Sequence, residues 1–210
     1  MLDLAAGSLV CTTATLEGDV TIGARTVVHP LSRILARSGP IFIGEENIIE
    51  ERVEIINDGE KDAVMIVGNG NLFEVGCVSR SRKIGNSNVV EARAVVGREA
   101  VLSFQCVVGA GCELDSRETL GPGTVLTAGL RRVGSGSNPG PAGQRDLLAR
   151  LLPNYHAFRQ TDEEEEGGGG GGDGGASSVP GAGAELESEK PRTVRSTVRT
   201  FNKIRSLIRK

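Results

Sequence analysis

The sequence predicts an all-β fold, a parallel β-helix of six-residue repeats, followed by a C-terminal α-helix. Three observations predict it. An aliphatic residue returns every six positions over much of the chain, and small residues form a second column with the same period. Aromatic residues make up only 3% of the chain and Trp is absent, which indicates a core of Val, Ile and Leu.

The six-residue period fits neither an α-helix nor a plain alternating strand. Its unbroken part consists of Ile84, Val90, Val96, Leu102, Val108, Leu114, Leu120 and Leu126. Upstream the same spacing gives Leu4, Val10, Leu16, Ile22, Val28 and Ile34, then Ile43, Ile49 and Ile55 after a three-residue insertion, then Val67 and Phe73. A one-residue deletion before Ile84 resets the register. Such a period is typical of a solenoid in which each coil buries its aliphatics on the next.

Small residues stand four positions after most of these aliphatics. They are Asn88, Ala94, Ala100, Cys106, Cys112 and Thr124, with Glu118 as the exception. Residues two apart in a strand face the same side, so each small residue and the following aliphatic point inward, and each repeat is a short strand and a corner. Residues 1–133 are therefore expected to form the β-helix.

Residues 134–161 are expected to be a loop and a docking helix. Apolar residues recur there at helical spacing, with Pro153 as an interruption: Leu147, Leu148, Leu151, Leu152, Tyr155 and Phe158. If three repeats make one coil, residues about 18 apart stack on one face, which aligns Leu72, Val89, Val107 and Val125 in an outward stripe. We expect the helix to pack on this stripe; the alternative is that the valines only favour strand formation.

The last 49 residues divide into two blocks of opposite charge. Residues 162–190 are acidic and Gly-rich, which predicts a disordered linker. Residues 191–210 place apolar and basic side chains on different sides of a helix and predict a basic amphipathic helix. It could bind a membrane or an acidic partner, or fold back on the acidic linker. One aromatic residue, Phe201, and no reading motif argue against nucleic acid.

The remaining composition excludes several protein classes. The net charge is −3, and no stretch approaches the 18 apolar residues of a membrane-spanning helix. Four cysteines in a chain without an apolar signal segment predict reduced thiols in the cytosol rather than a disulfide framework.

The repeat, with Gly often following the aliphatic, resembles the left-handed β-helix family of hexapeptide-repeat proteins. The triangular coils of that family, with three repeats each, imply about seven coils here, a prism ~30 Å long at a strand spacing of ~4.8 Å. Five segments resemble more specifically the family of β-helical subunits of the dynactin pointed-end complex: "GDVTIGARTVVHP", "GPIFIGEENIIEE", "NLFEVGC", "NVVEARAVVGR" and "LLPNYH". The resemblance covers residues 4 to about 160, and the linker and basic helix depart from the family pattern.

This resemblance implies a non-catalytic subunit of an assembly that links the dynein motor to cargo. Its implied partners are the other pointed-end subunits: a companion β-helical subunit, an actin-related protein and a larger zinc-containing subunit, with dynein contacted indirectly. The implied location is the cytoplasm and cytoskeleton, and the kinetochore in mitosis.

Hexapeptide-repeat proteins also include acyltransferases with a catalytic His and carbonic-anhydrase-like enzymes with three zinc-binding His. The chain has two histidines, His29 and His156, which cannot supply a three-His zinc site. Cys106 and Cys112 fall in the small inward column and are interpreted as core residues. We therefore expect no catalytic, cofactor-binding or metal-binding residue and no cofactor; the alternative is a homotrimeric enzyme that uses His29 as a base.

The first coil leaves backbone N–H and C=O groups without an inner neighbour, an edge that proteins usually cover. Because the repeat begins at Leu4, we expect another protein to cap this coil.

Overall fold

A computed structural model of the chain describes residues 1–127, 130–133 and 142–161. The predicted linker 162–190 and basic helix 191–210 lie outside the described residues, as do residues 134–141 of the predicted loop.

The described chain winds into a parallel β-solenoid with three faces. The first face holds β1 (Leu2–Leu4), β4 (Val20–Ile22), β7 (Ile41–Ile43), β10 (Met65–Val67), β13 (Lys83–Ile84), β16 (Val101–Leu102) and β19 (Thr119–Leu120). The second holds β2 (Leu9–Val10), β5 (Val27–Val28), β8 (Ile48–Ile49), β11 (Leu72–Phe73), β14 (Val89–Val90), β17 (Val107–Val108) and β20 (Thr124–Thr127). The third holds β3 (Thr15–Glu17), β6 (Arg33–Ala36), β9 (Glu54–Asn57), β12 (Val78–Ser79), β15 (Val95–Val96) and β18 (Glu113–Leu114).

The predicted core column lines the interior. Val90 pairs in register with Val108, and Val108 with Leu126, one coil apart, and aliphatics such as Val90 and Leu114 are fully buried. The predicted fold, a left-handed parallel β-helix of about seven coils with a C-terminal helix, is confirmed.

Residues 55–67, which the six-residue spacing presents as two repeats, contain a loop. The sequence spacing carries the aliphatic register from Ile55 to Val67, but Val67 stacks on Ile43, one coil below. Residues 58–64 leave the coil, and Lys61, which stands at the skipped register position, is exposed. The side-chain amide of Asn57 holds this loop by donating to the carbonyls of Gly39 (2.9 Å) and Ala63 (2.8 Å).

The corners require left-handed backbone at residues other than glycine. Arg93 and Glu46 have φ of 57° and 63°, a conformation that costs free energy for a residue with a Cβ. Each is held by a hydrogen bond from its N–H to a carbonyl of the preceding coil, Arg93 to Val75 (3.1 Å) and Glu46 to Ala24 (3.0 Å). Stacking therefore stabilises the corners.

A ladder of buried asparagines runs along the corner between the first two faces. The backbone N–H of Asn71 donates to Oδ1 of Asn47 (2.9 Å), and that of Asn88 donates to Oδ1 of Asn71 (2.9 Å). The backbone N–H of Cys106 continues the series to Oδ1 of Asn88 (2.8 Å). These side chains satisfy corner amides that would otherwise be buried without a partner.

After the last coil, β21 (Leu130–Val133) turns back and pairs antiparallel with β20. Helix α1 (Ala142–Leu151) follows and ends in a 3-10 helix, Leu152–Asn154, with Pro153 near its start. Proline fits a first turn but not a helix interior, so the predicted interruption at Pro153 is where α1 stops. Within the described residues, no helix is long and apolar enough to cross a membrane.

Candidate functional site

The outward side of the second face is aliphatic on every coil. This outer column stacks in register along the solenoid and consists of Leu9, Val27, Ile48, Leu72, Val89, Val107 and Val125. Val27 and Ile48 are fully buried, whereas the four residues from Leu72 onward are half-buried. An outward position is covered only if something packs on the face, so the second coil and the third coil are covered.

Helix α1 provides this cover. Gln144 donates to Oε1 of Glu50 (3.0 Å), and Arg145 contacts Oε2 of Glu46 (3.1 Å). Asp146 pairs with Arg25 at 3.4 Å. The partner residues flank β5 and β8, which places α1 over Val27 and Ile48. The predicted stripe of Leu72, Val89, Val107 and Val125 lies on the same face in the fourth to seventh coils, beyond the coils that these contacts involve.

The buried side of α1 differs from the predicted leucine face. Leu147 and Leu151 are 56% and 45% exposed, and Tyr155 is 77% exposed. Arg145 and Leu152 are buried and Leu148 is half-buried, a spacing of three and four residues that defines one side of a helix. Leu147, Leu151 and Tyr155, which the sequence places on the docking face, lie outside this buried side, where Arg145 instead contacts Glu46 of the solenoid.

Residues 157–159, which follow the 3-10 helix, pair with the first coil. This segment is named here the strap. Phe158, which is half-buried, bridges antiparallel to Cys11. The N–H of Thr12 donates to Ala157 O (2.9 Å), and the N–H of Arg159 donates to Val10 O (2.8 Å). The Arg159 guanidinium also donates to Ala14 O (2.9 Å). The chain therefore covers part of the edge that we expected another protein to cap.

His29, the candidate base, lies at the corner between the second and third faces. It is only 5% exposed, and its Nδ1 lies 2.9 Å from Oε1 of Glu51. Burial alone would raise the pKa of Glu51, but the hydrogen bond and charge of His29 lower it below the ordinary value. His156 is exposed and lowers the same pKa through its charge. The geometry is that of a buried imidazole held by a carboxylate.

Three glutamates follow the same corner. Glu50 accepts from Val75 N–H (3.0 Å), Glu74 from Ala92 N–H (3.0 Å), and Glu91 from Ala110 N–H (2.8 Å). Each carboxylate thus binds a backbone amide one coil further on. Burial raises the pKa of Glu50, and the neighbouring Glu74 adds to this, while the amide of Val75 opposes it. This carboxylate row stabilises the corner and was missed in the sequence because its partners lie 18 to 25 positions away.

Three of the four cysteines, Cys11, Cys77 and Cys106, are buried. Burial, with a contribution from the charge of Glu51, raises the pKa of the Cys11 thiol to about 11. Burial also raises the thiol pKa of Cys77 and Cys106. Cys106 is fully buried and Cys112 is half-buried, and all four cysteines are unoxidised thiols. In the part of the chain that the structure describes, no three His, Cys, Asp or Glu side chains converge as metal ligands.

Known proteins resemble the chain in sequence and in fold. Dynactin subunit 6 of Danio rerio is 45% identical over 170 residues, which cover 75% of this chain and 87% of that protein. Dynactin subunit 6 of Nematostella vectensis is 44% identical over 172 residues, covering 76% and 93% respectively. No family model matches the chain.

Among solved structures, a hexapeptide transferase family protein from Anaplasma phagocytophilum superposes with a TM-score of 0.58. It is 16% identical, and the match covers 73% of this chain and 88% of that chain. At that identity the likeness concerns the solenoid fold.

Proposed function

This chain belongs to the dynactin subunit 6 family, and we propose that it acts as a non-catalytic structural and adaptor subunit within the dynactin complex. Its partners in this proposal are the other pointed-end subunits: the companion β-helical subunit, the actin-related protein and the larger zinc-containing subunit. Through them it supports dynein-driven transport and cargo attachment. Its place is the cytoplasm and cytoskeleton, and the kinetochore during mitosis.

The observation that supports the assembly role is that the strap covers the first coil on the second face and not on the first and third faces. The strap pairs with β2, whereas β1 and β3 stand at the ends of their sheets, each with a single neighbouring strand in the described chain. A terminal strand offers N–H and C=O groups to any strand that continues its sheet. A companion β-helical subunit would supply a strand of this kind, which supports it as the proposed partner.

The environment of His29 supports the non-catalytic part of the proposal. A general base must reach the proton that it removes, and this imidazole is buried with one ring nitrogen engaged by Glu51. His29 belongs to the second coil and Glu51 to the third, so the pair is best explained as a structural contact that joins these two coils. The competing activity, acyl transfer by a homotrimer, requires the same imidazole to face a cleft between subunits.

Light scattering of the purified protein, alone and mixed with the companion β-helical subunit, tests the proposal. We expect a monomer that becomes a one-to-one complex. A stable homotrimer that ignores the companion would contradict the proposal and favour the enzyme, and assays of His29→Ala would then follow.

A matched pair of substitutions locates the interface. Thr15 and Thr119 are exposed threonines at outward positions of strands at opposite ends of the solenoid. We expect Thr15→Arg to weaken the complex by about tenfold or more, which corresponds to ~1.4 kcal/mol, and Thr119→Arg to leave it unchanged. The reverse result would move the interface to the last coil.

A further inference from the structure

The outer column of the second face is longer than the helix that covers it. Helix α1 lies over the second coil and the third coil, through contacts to Arg25, Glu46 and Glu50. The column continues without a polar interruption through Leu72, Val89, Val107 and Val125, all half-buried. These four residues, named here the distal column, extend an interface that this chain has already used for an amphipathic helix.

The chain carries a second amphipathic segment that fits this surface. On a helix over residues 191–210, apolar residues recur at intervals of three or four and so form one side: Val194, Val198, Phe201, Ile204 and Ile208. Basic residues occupy most of the remaining circumference. An isolated helix of this length gains most of its stability from packing its apolar side. The distal column is a row of aliphatic side chains ~14 Å long, against which about two thirds of the ~21 Å apolar stripe of such a helix could pack.

The intervening chain is long enough to reach. Residues 162–190 are 29 Gly-rich residues, and a chain of that length and composition with flexible-chain statistics would have an end-to-end distance of ~30 Å. The described chain ends at Thr161, beside the strap on the first coil. The distal column lies three to six coils away, which is ~14–29 Å at ~4.8 Å per coil. A tether of matching length holds its end near the site at millimolar effective concentration.

Charge along one side of the distal column favours a basic occupant. Glu74 and Glu91 lie at the corner two positions after Leu72 and Val89, and both are half-buried. Each carboxylate accepts a backbone amide, which fixes the position of its negative charge beside the column. Arg93 stands further out on the same corner and is exposed.

We propose that residues 191–210 dock as an amphipathic helix on the distal column of their own chain. The outer face of the solenoid then carries two helices in line, α1 over the second and third coils and the basic helix over the fourth to seventh. Docking buries the apolar side of residues 191–210. The segment would therefore have to leave the distal column before that side could bind any other surface. This inference does not depend on the proposed function.

Photo-cross-linking in the full chain tests the proposal directly. The probe is p-benzoylphenylalanine in place of Phe201, and the cross-linked peptides are mapped by mass spectrometry. We expect cross-links within one chain to peptides that contain Leu72, Val89, Val107 or Val125. Cross-links confined to residues 162–190, or joining two chains, would overturn the proposal in favour of self-masking by the linker or of a dimer.

Two matched substitutions show whether the column is the site. Val107 and Val95 are half-buried outward valines of adjacent coils, Val107 on β17 of the second face and Val95 on β15 of the third face. We expect Val107→Glu to lower the cross-linking yield at least about tenfold, because a carboxylate in an apolar contact costs more than ~1.4 kcal/mol. Val95→Glu should leave the yield unchanged.

Equal yields in the two variants would overturn the proposal. Circular dichroism on both variants establishes that the solenoid is intact. If Val107→Glu does not fold, Val89→Ser replaces it and should also lower the cross-linking yield. The cross-link map of the protein with an unsubstituted distal column tests the docking site in either case.

Discussion

At the scale of single residues, the interior of this solenoid depends on polar side chains as well as on aliphatic ones. The asparagine ladder places amides where three successive corners each direct a backbone N–H inward. A buried donor without a partner costs ~1–3 kcal/mol, so each asparagine stabilises the coil after its own.

Replacement of Asn71 by Ala should therefore destabilise the protein by about 2–4 kcal/mol, because it removes the acceptor of both the backbone and the side-chain amide of Asn88. Urea unfolding followed by circular dichroism measures the change. Asn86→Ala is the control, since Asn86 is exposed and its Oδ1 accepts the N–H of Asn69 where water can replace it. We expect a loss below about 1 kcal/mol there, and equal losses in the two variants would refute the role of the ladder.

The sequence predicts part of this arrangement. The column of small residues correctly places Asn88 and Cys106 inward, because crowding at a corner depends on the local repeat alone. It does not reveal that Asn47, Asn71 and Asn88 bond to one another, since their spacings of 24 and 17 residues are irregular until the loop 58–64 and the deletion before Ile84 are located. The same irregularity makes residues 55–67 look like two repeats.

At the scale of elements, the docking of α1 rests on a buried charge. Arg145 is 6% exposed and contacts Oε2 of Glu46 (3.1 Å) and Oδ1 of Asp146 (3.2 Å). Hydrophobic periodicity predicts the existence of the helix, but it selects a face of leucines. The partner Glu46 comes from another coil, and no local pattern in residues 142–151 indicates it.

We expect Arg145→Ala to loosen the helix, because removal of the guanidinium leaves the carboxylate of Glu46 without a cation from α1 and opens the packed face. The expected signature is cleavage between residues 142 and 158 at least about fivefold faster under limited proteolysis, which corresponds to ~1 kcal/mol of local opening. Arg150→Ala, at an exposed arginine of the same helix, should leave the cleavage rate unchanged. If both variants are cut at the same rate as the natural chain, the ion pair does not hold the helix.

At the scale of the whole molecule, the strap joins the C-terminal part of the described chain to its first coil. The N–H of Thr12 points out of the stack and donates to Ala157 O, whereas the N–H of Cys11 points into the stack and donates to Val28 O (3.0 Å). The two neighbouring amides thus report separately on the strap and on the solenoid.

A chain that ends at Asn154 should lose protection from hydrogen exchange at Thr12 and keep it at Cys11. Exchange at Thr12 requires only that the strap leave, whereas exchange at Cys11 requires the first coil to separate from the second. Amide exchange resolved by NMR measures both positions. Unchanged protection of Thr12 in the shortened chain would show that the strap does not cover this edge in solution.

The second face is closed at both ends by antiparallel strands, β21 on the last coil and the strap on the first. A parallel solenoid without such closure is a polar rod whose two ends can join indefinitely, as in a fibre. Because the strand direction is reversed at both ends of the second face, neither end of that face can be extended by another parallel coil. Continuation of the solenoid by an identical copy is therefore blocked along the second face, whereas the first and third faces keep the terminal strands β1, β19, β3 and β18 for a different partner.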